Sequence, residues 1–444
     1  MIIRPYQNAQ FLKARLSRYV LSQDSAIEKI ALAISQHYLA CEYNQTCPED
    51  DQIQTGQENI LCYGPTGVGK SLCIKELIRL ARDFDLPIIS EAASAMAPNN
   101  SWRGTSIFTI VSKLFQAAGD LFYSNHPDNT DVEFAKAVIT EMTEKNGIII
   151  LDEADKIFKK TDEDCERSSS HDYQSSLLKL VEGTTVPTDT FTHEIKTPIT
   201  DPKTGEVHWE IEEVQTIDSV DIDTTHILWI FLGAFEGIDD IVKHRIQREN
   251  SKKTTVPHDY YQQCRAGFIQ DKPASIKKEK PVDIDLTPNV DDLVEYGVKR
   301  ELAGRLAIKV RFNPLNANAL TKILMESPTS VYREYQRRFK LLGHTLVADS
   351  SSIRYLCQRA IANKTGARSL RQTFNELLSP VMFQLSAEPT PHICKLTGKL
   401  LKSGKPPIIE KKSQKRQQNK QNTQSDAEIM EIINNSTIRK AETA

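Results

Sequence analysis

The chain has 444 residues, 39% hydrophobic and 26% charged, with 56 basic against 59 acidic side chains and a formal net charge of −3. That length allows two or three domains with a sizeable core, and the near-neutral balance excludes a global attraction to nucleic acid or acidic membrane. The eight cysteines form no Cys-x-x-Cys pair and no close Cys/His cluster, so neither a zinc site nor a disulfide framework is expected. The N-terminus lacks a basic stretch followed by an apolar core, and apolar runs such as Ile227 to Phe235 are too short to span a bilayer. A soluble cytoplasmic protein with reduced thiols and no membrane contact is the expectation.

In chain order, residues 9–42 read as helix: Phe11, Leu12, Leu16 and Val20, then Ile27, Ile30, Ala31, Ile34 and Tyr38, keep helical spacing, with a break near Leu21-Ser22-Gln23-Asp24. Ser22 or Asp24 is the expected cap of the second helix. A polar segment, 43–57, leads to Asn59-Ile60-Leu61-Cys62-Tyr63, an apolar run of buried-strand type. Gly64-Pro65-Thr66-Gly67-Val68-Gly69-Lys70-Ser71 follows, and Leu72, Ile74, Leu77, Ile78 and Ala81 then resume helical spacing. Strand, glycine-rich loop and helix in that order form a complete phosphate-binding loop for a nucleoside triphosphate. Its glycines let backbone N–H groups converge on phosphates, and the new helix adds its positive end. Lys70 is expected to reach the β/γ-phosphates and Ser71 to ligate Mg²⁺.

Ile148-Ile149-Ile150-Leu151 suits a strand buried on both faces and delivers Asp152-Glu153 at its carboxyl end, where open α/β sheets bind ligands. Asp152 would hold Mg²⁺ through water, and Glu153 would orient and polarise the attacking water. Two insertions follow, both read as solvated surface loops: polar residues between Lys159 and His171, and a strand-prone stretch between Val186 and Ser219. In the second, Asp201-Pro202-Lys203-Thr204-Gly205 reads as a turn and His208-Trp209-Glu210-Ile211 as a returning strand. Strands and helices alternate to about Arg311, the pattern of a parallel sheet. From Asn313 the period turns helical: Leu320, Ile323 and Leu324; Val331, Tyr335 and Phe339; Ile353, Leu356, Ala360 and Ile361; Leu370, Phe374, Leu377 and Leu378. Beyond Lys402 the Lys/Gln/Asn/Ser-rich composition predicts disorder.

The segments divide the chain into an N-terminal helical segment and linker, 1–57, a large α/β domain, 58–312, a small helical domain, 313–402, and a basic tail, 403–444. Over roughly residues 12 to 410 the chain resembles the ClpX branch of AAA+ protein unfoldases. Arg18-Tyr19-Val20-Leu21-Ser22-Gln23 resembles the segment that covers adenine, implying that Val20 and Leu21 line the base pocket. Gly64 to Ser71, Ile149 to Ile157, Ser176 to Thr184 and Leu232-Gly233-Ala234-Phe235 match further family segments in order. Glu301-Leu302-Ala303-Gly304-Arg305-Leu306 matches the segment whose arginine reaches a neighbouring subunit's nucleotide, making Arg305 the candidate finger. Lys364-Thr365-Gly366-Ala367-Arg368 matches the segment whose arginine senses the γ-phosphate. Both roles suit a permanent forked charge on phosphate oxygens.

The resemblance implies an AAA+ P-loop NTPase domain, a parallel sheet flanked by helices, followed by a small, mainly helical C-terminal domain. It also implies ATP and Mg²⁺ as cofactors and a ring hexamer that grips protein substrates in a central pore. Ser101-Trp102-Arg103-Gly104 stands where the family has a Gly-Tyr-Val-Gly pore loop, so Trp102, with Arg103 beside it, is the expected gripping aromatic. Only about eleven residues precede the matching region, and the family's N-terminal zinc-binding domain is not expected. The ClpP-type peptidase-docking tripeptide keeps Gly267-Phe268 but has Ala266 first, so weak or absent docking is expected. Two rival readings, a nucleic-acid motor or loader and a non-enzymatic ATP-gated scaffold, are opposed by the charge balance and by intact Lys70, Glu153 and Arg305 respectively.

Overall fold

The computed structural model of the chain describes residues 4–51, 53, 58–96, 107–127, 129–159, 164–200, 207–254, 285–362 and 367–411. It divides into two compact units, Met1–Pro314 and Leu315–Ala444. The first unit opens with α1 (Ala9–Ser17), capped by Asn8, whose Oδ1 accepts from the N–H groups of Gln10 and Phe11 at 2.9 and 3.1 Å. The break falls where expected, before α2 (Asp24–Asn44), but neither Ser22 nor Asp24 caps it. Gln23 occupies the cap position without a side-chain bond to the helix, because its amide is committed elsewhere, and Ser22 makes the turn at φ +64°.

A five-stranded, all-parallel sheet forms the centre of this unit. Its strands in chain order are β1 (Ile60–Tyr63), β2 (Ile88–Ala92), β3 (Ile148–Asp152), β8 (Leu228–Gly233) and β9 (Ile308–Arg311), and the spatial order is β2-β3-β8-β1-β9. All residues of β1 and β8, and the first four of β3, are buried, which is why these strands read as unbroken apolar runs. Helices α3 (Lys70–Asp83), α4 (Ala93–Met96), α5 (Thr109–Asn125), α6 (Val132–Asn146), α7 (Asp155–Phe158), α8 (Asp164–Glu182), α9 (Ile238–Thr254), α10 (Val290–Tyr296) and α11 (Arg300–Arg305) connect the strands. The core joins Leu61, Ile149, Leu151 and Phe231 of the sheet to Leu114, Phe115 and Leu177 of α5 and α8. No helix among the described residues is long and apolar enough to cross a membrane.

Both expected surface loops need correction. The residues before His171 are in part helical, since α8 begins at Asp164; once the apolar segment carrying Tyr173, Leu177 and Leu180 nucleates the helix, each added turn needs no apolar face of its own. The second stretch forms a short ladder, β4 (Thr185–Pro187) with β7 (Asp221–Asp223), and a hairpin, β5 (Phe191–Thr200) with β6 (Val207–Ile217). The returning strand is therefore present, but the base of the hairpin is core. Phe191 and Ile217 are buried, and the ring of Phe191 occupies the space a side chain on Gly119 would need. Its expected turn, 201–205, lies outside the described residues.

In the second unit, α12 (Ala317–Glu326), α13 (Val331–Leu341), α14 (Ser350–Ala362) and α15 (Ala367–Leu385) follow the expected periodicity. Leu320, Tyr335, Phe339, Leu356 and Phe374 share one core, whereas Ile361 is exposed. A three-stranded sheet accompanies the helices: β10 (Thr345–Ala348), β11 (His392–Leu396) and, beyond α16 (Gly398–Lys402), β12 (Ile408–Lys411), in the order β10-β11-β12. Regular structure thus continues past residue 402, where disorder was expected, because β12 completes the free edge of β11 by antiparallel pairing. Residues 412–444 lie outside the described residues.

Candidate active site

The carboxyl ends of β1 and β3 bring two motifs to one edge of the sheet. Leu151 is paired with Phe231 and Phe231 with Leu61, so Asp152 stands level with Leu232 and Cys62, one residue before Tyr63 ends β1. From there Gly64, Gly67 and Gly69 take φ values of +142°, +75° and +110°. A side chain on Gly64 would collide with the carbonyl of Phe312, whose own N–H donates to the Tyr63 carbonyl at 2.8 Å. The loop is therefore seated against the end of β9 by backbone alone. Gly69 then opens α3, and Lys70 at its first turn folds back so that Nζ donates to the carbonyls of Gly64 at 2.5 Å and Pro65 at 2.7 Å. Pro65 and Thr66 are exposed, Val68 is buried, and Ser71 is half-buried beside Lys70. Left-handed glycines before a helix N-terminus, with an ammonium group across the loop, form a cradle that fits a polyphosphate. The Ser71 hydroxyl and the Asp152 carboxylate are hard oxygen donors of the kind Mg²⁺ accepts.

Glu153 follows Asp152 in the left-handed region, at φ +56°, with its N–H donating to Asp152 Oδ1 at 2.8 Å. That conformation is costly for a residue with a side chain and marks a position held by its surroundings. Ser94 Oγ donates to Glu153 Oε2 at 3.0 Å, and Lys156 Nζ lies 2.5 Å from the same oxygen. Hydrogen bonding to Glu153 is the main reason the Lys156 pKa is raised. Next to them the Ala154 N–H donates to the Leu232 carbonyl at 2.7 Å, tying the end of β3 to β8.

The segment between α1 and α2 closes over the loop. Val20 is buried, and its Cγ1 lies 3.4 Å from where a side chain on Gly69 would begin; Leu21 is half-buried. Gln23, buried, donates through Nε2 to the carbonyls of Asn313 at 2.8 Å and Val68 at 3.3 Å and accepts from the Asn313 N–H at 2.9 Å. It stitches three segments at once. Sequence reasoning held Gln23 only as the last letter of a motif, since a glutamine's partners hundreds of residues away leave no local signal.

Arg305 stands at the opposite end of β1. Its carbonyl accepts from Asn59 Nδ2 at 3.3 Å, Asn59 Oδ1 accepts from the Trp229 N–H at 3.1 Å, and Leu306 bridges to Glu58. The guanidinium pairs with Glu182 at 3.2 Å, both side chains about a third exposed. Four residues of β1 separate this corner from the phosphate loop, a span of about 13 Å. Arg368, in the second unit, is exposed and lines an open pocket of about 440 Å³ with Tyr335, Arg338, Arg371, Gln372 and Asn375. Glu334 binds both Arg371 and Arg338, and the Arg371 hydrogen bond is the main cause of its lowered pKa. Trp102, Arg103, Gly267 and Phe268 lie outside the described residues. The geometry adds Ser94, Lys156 and Glu182 to the site; Lys156 and Glu182 lie inside segments that match the family but had no role assigned to them, and Ser94 carries no signature in the sequence.

A family model described as an AAA domain (Cdc48 subfamily) matches residues 56–309. The ATP-dependent Clp protease ATP-binding subunit ClpX of Treponema denticola is 32% identical over 378 residues, 84% of this chain and 76% of that protein. The ClpX subunits of Azotobacter vinelandii, 28% identical over 86% of this chain and 76% of their own length, and of Borrelia duttonii, 29% over 84% and 73%, are similar to it in the same way.

Proposed function

Because the chain belongs to the AAA+ ATPases, in their ClpX branch, we propose that it is an ATP-dependent unfoldase working as a cytoplasmic ring hexamer that draws protein substrates through a central pore. It binds nucleotide and hydrolyses ATP. The observation that carries the assignment of roles is the shared carboxyl edge, where Asp152 and Glu153 stand level with Cys62 and Tyr63, the last two residues before the Gly64–Ser71 loop. Val20 and Leu21 cover the base. The loop N–H groups and Lys70 neutralise the β- and γ-phosphates, and Glu153 orients the attacking water, since phosphoryl transfer needs positioning and charge neutralisation more than covalent help. Ser71 and Asp152 would hold Mg²⁺, which supplies charge on the phosphate oxygens when bound.

Arg305 is the finger acting in trans. Its position at the far end of β1 from its own phosphate loop supports this, because a side chain cannot cross that span. Arg368 reads the γ-phosphate from the small domain, and Trp102 with Arg103 grips the polypeptide. Docking to a ClpP-type peptidase through Gly267 and Phe268 is weak, because Ala266 cannot fill an apolar pocket as a larger residue would. The chain then either remodels proteins without delivering them to a protease or delivers them to a peptidase whose pocket is altered.

Lys70→Ala should abolish tight ATP binding, while Glu153→Gln should keep binding and stop turnover, measured by nucleotide titration and steady-state hydrolysis. Equal loss of affinity in both sinks the roles. Trp102→Ala should keep hydrolysis while losing unfolding of a stable tagged substrate, and stimulation by DNA rather than by unfolded protein would favour a nucleic-acid motor.

A further inference from the structure

We propose that Lys156 is a positioning residue for Glu153, with Ser94 as its second anchor, so that the water-orienting carboxylate is aimed by a clamp on one of its oxygens. The proposal rests on the role of Glu153 given above. Glu153 sits on a left-handed backbone at the tip of β3, half-exposed, with a side chain that has three rotatable bonds. Nothing in the strand itself fixes where its carboxylate points. Two donors from different elements converge on Oε2: the Lys156 ammonium, from α7 one helical turn on, and the Ser94 hydroxyl, from the first turn of α4.

The sheet explains the convergence. β2 runs parallel to β3 with Ala92 paired to Asp152, so Ser94, two residues past Ala92, comes alongside Glu153, one past Asp152. Lys156 is held from the other side because Ala154 is tied to the Leu232 carbonyl and the Lys156 N–H donates to the Glu153 carbonyl at 3.0 Å. The lysine thus has its backbone and its ammonium both bound to the residue it aims.

A half-exposed pair contributes little to folding, so its removal should leave the protein folded and act on turnover alone. Steady-state ATPase kinetics on Lys156→Met, Lys156→Arg, Ser94→Ala and Glu153→Gln in the full chain test this, each with a melting curve. Lys156→Met should lower kcat about threefold to tenfold with KM within about twofold and an unchanged melting temperature. Ser94→Ala should do the same to a smaller extent, and Lys156→Arg, which keeps a cationic donor, should restore most of kcat. Wild-type kcat in Lys156→Met overturns the clamp, as does a loss that Lys156→Arg fails to recover or one that appears in KM alone. Those results leave Glu153 in its role provided Glu153→Gln is inactive; an active Glu153→Gln overturns the role itself, and the clamp with it.

Discussion

The two ends of β1 are four residues apart and are built by different means. At the carboxyl end the phosphate loop is shaped by backbone: three glycines at positive φ, a lysine folded onto loop carbonyls, and a close approach to the Phe312 carbonyl that excludes any side chain at Gly64. At the amino end the main chain is equally fixed, through Asn59, but among the described residues the guanidinium of Arg305 is held by a single, partly exposed ion pair with Glu182. Such pairs contribute about 0–1 kcal/mol, so the arginine can leave Glu182 at little cost, whereas the loop cannot change shape without breaking its packing. A rigid binding cradle and a weakly paired charge at opposite ends of one strand are what the proposed arrangement requires, a nucleotide bound by one subunit and completed by the next.

The largest effect should come from breaking the weakly paired end. Arg305→Ala is expected to lower ATP turnover on the order of 10³-fold, as loss of an arginine finger does, without lowering the melting temperature. Mixing Arg305→Ala with Lys70→Ala subunits should recover part of the activity at interfaces that combine an intact loop with an intact arginine, and no recovery in mixtures shown to co-assemble would make Arg305 a structural residue.

Next comes the rigid end. Gly64→Ala should destabilise the first unit by about 2–5 kcal/mol, combining backbone strain with the clash at Phe312, and should lose nucleotide binding. A denaturation midpoint and affinity like those of the wild type would mean the loop is as adaptable as the Arg305 corner.

A comparable effect should appear on acidification, because α2 packs a neutral imidazole into the same unit. Burial, and then the neighbouring His226, hold the His37 pKa down to about 4, against the ordinary imidazole value of 6.5. The unfolded chain therefore takes up a proton that the folded chain refuses. Stability is full above about pH 6.5 and falls as pH drops toward 4, by about 3 kcal/mol from this group. Urea melts at pH 7 and pH 4.5 should show the loss, and His37→Leu should flatten it.

The smallest effect is reserved for the partner of the arginine. Glu182→Gln should change stability by less than about 1 kcal/mol, since the pair is partly exposed, and should leave nucleotide affinity alone. A loss of several kcal/mol would show that the amino end of β1 is as rigid as the carboxyl end.

Much of this was legible in the chain because it is local. Apolar runs announce strands buried on both faces, so β1, β3 and β8 were readable from Ile60–Tyr63, Ile148–Leu151 and the residues before Gly233. The loop from Gly64 to Ser71 was readable because its dihedrals demand glycine at set spacings and its chemistry demands a lysine and a hydroxyl. The helices of the second unit were readable from their period, since Leu320, Tyr335, Phe339 and Phe374 face one core. The small sheet was not: β10 and β12 are four residues each, too short for alternation to stand out, and β12 forms only because β11 offers it an edge.

What only the tertiary structure decided is which distant groups meet. The sequence determined that Glu153 would end a strand, but the parallel register of β2 against β3 decided that Ser94 would reach it. It placed Gln23 in a turn, but the fold joined that glutamine to Val68 and Asn313; it singled out Arg305 by a matching segment, but the fold set that arginine at the end of α11 against Asn59 and Glu182, which no local pattern encodes. The physical reason is common to all three. Backbone dihedrals and periodic burial are properties of neighbouring residues, whereas a side-chain hydrogen bond between segments depends on strand order and register, which the whole core sets at once.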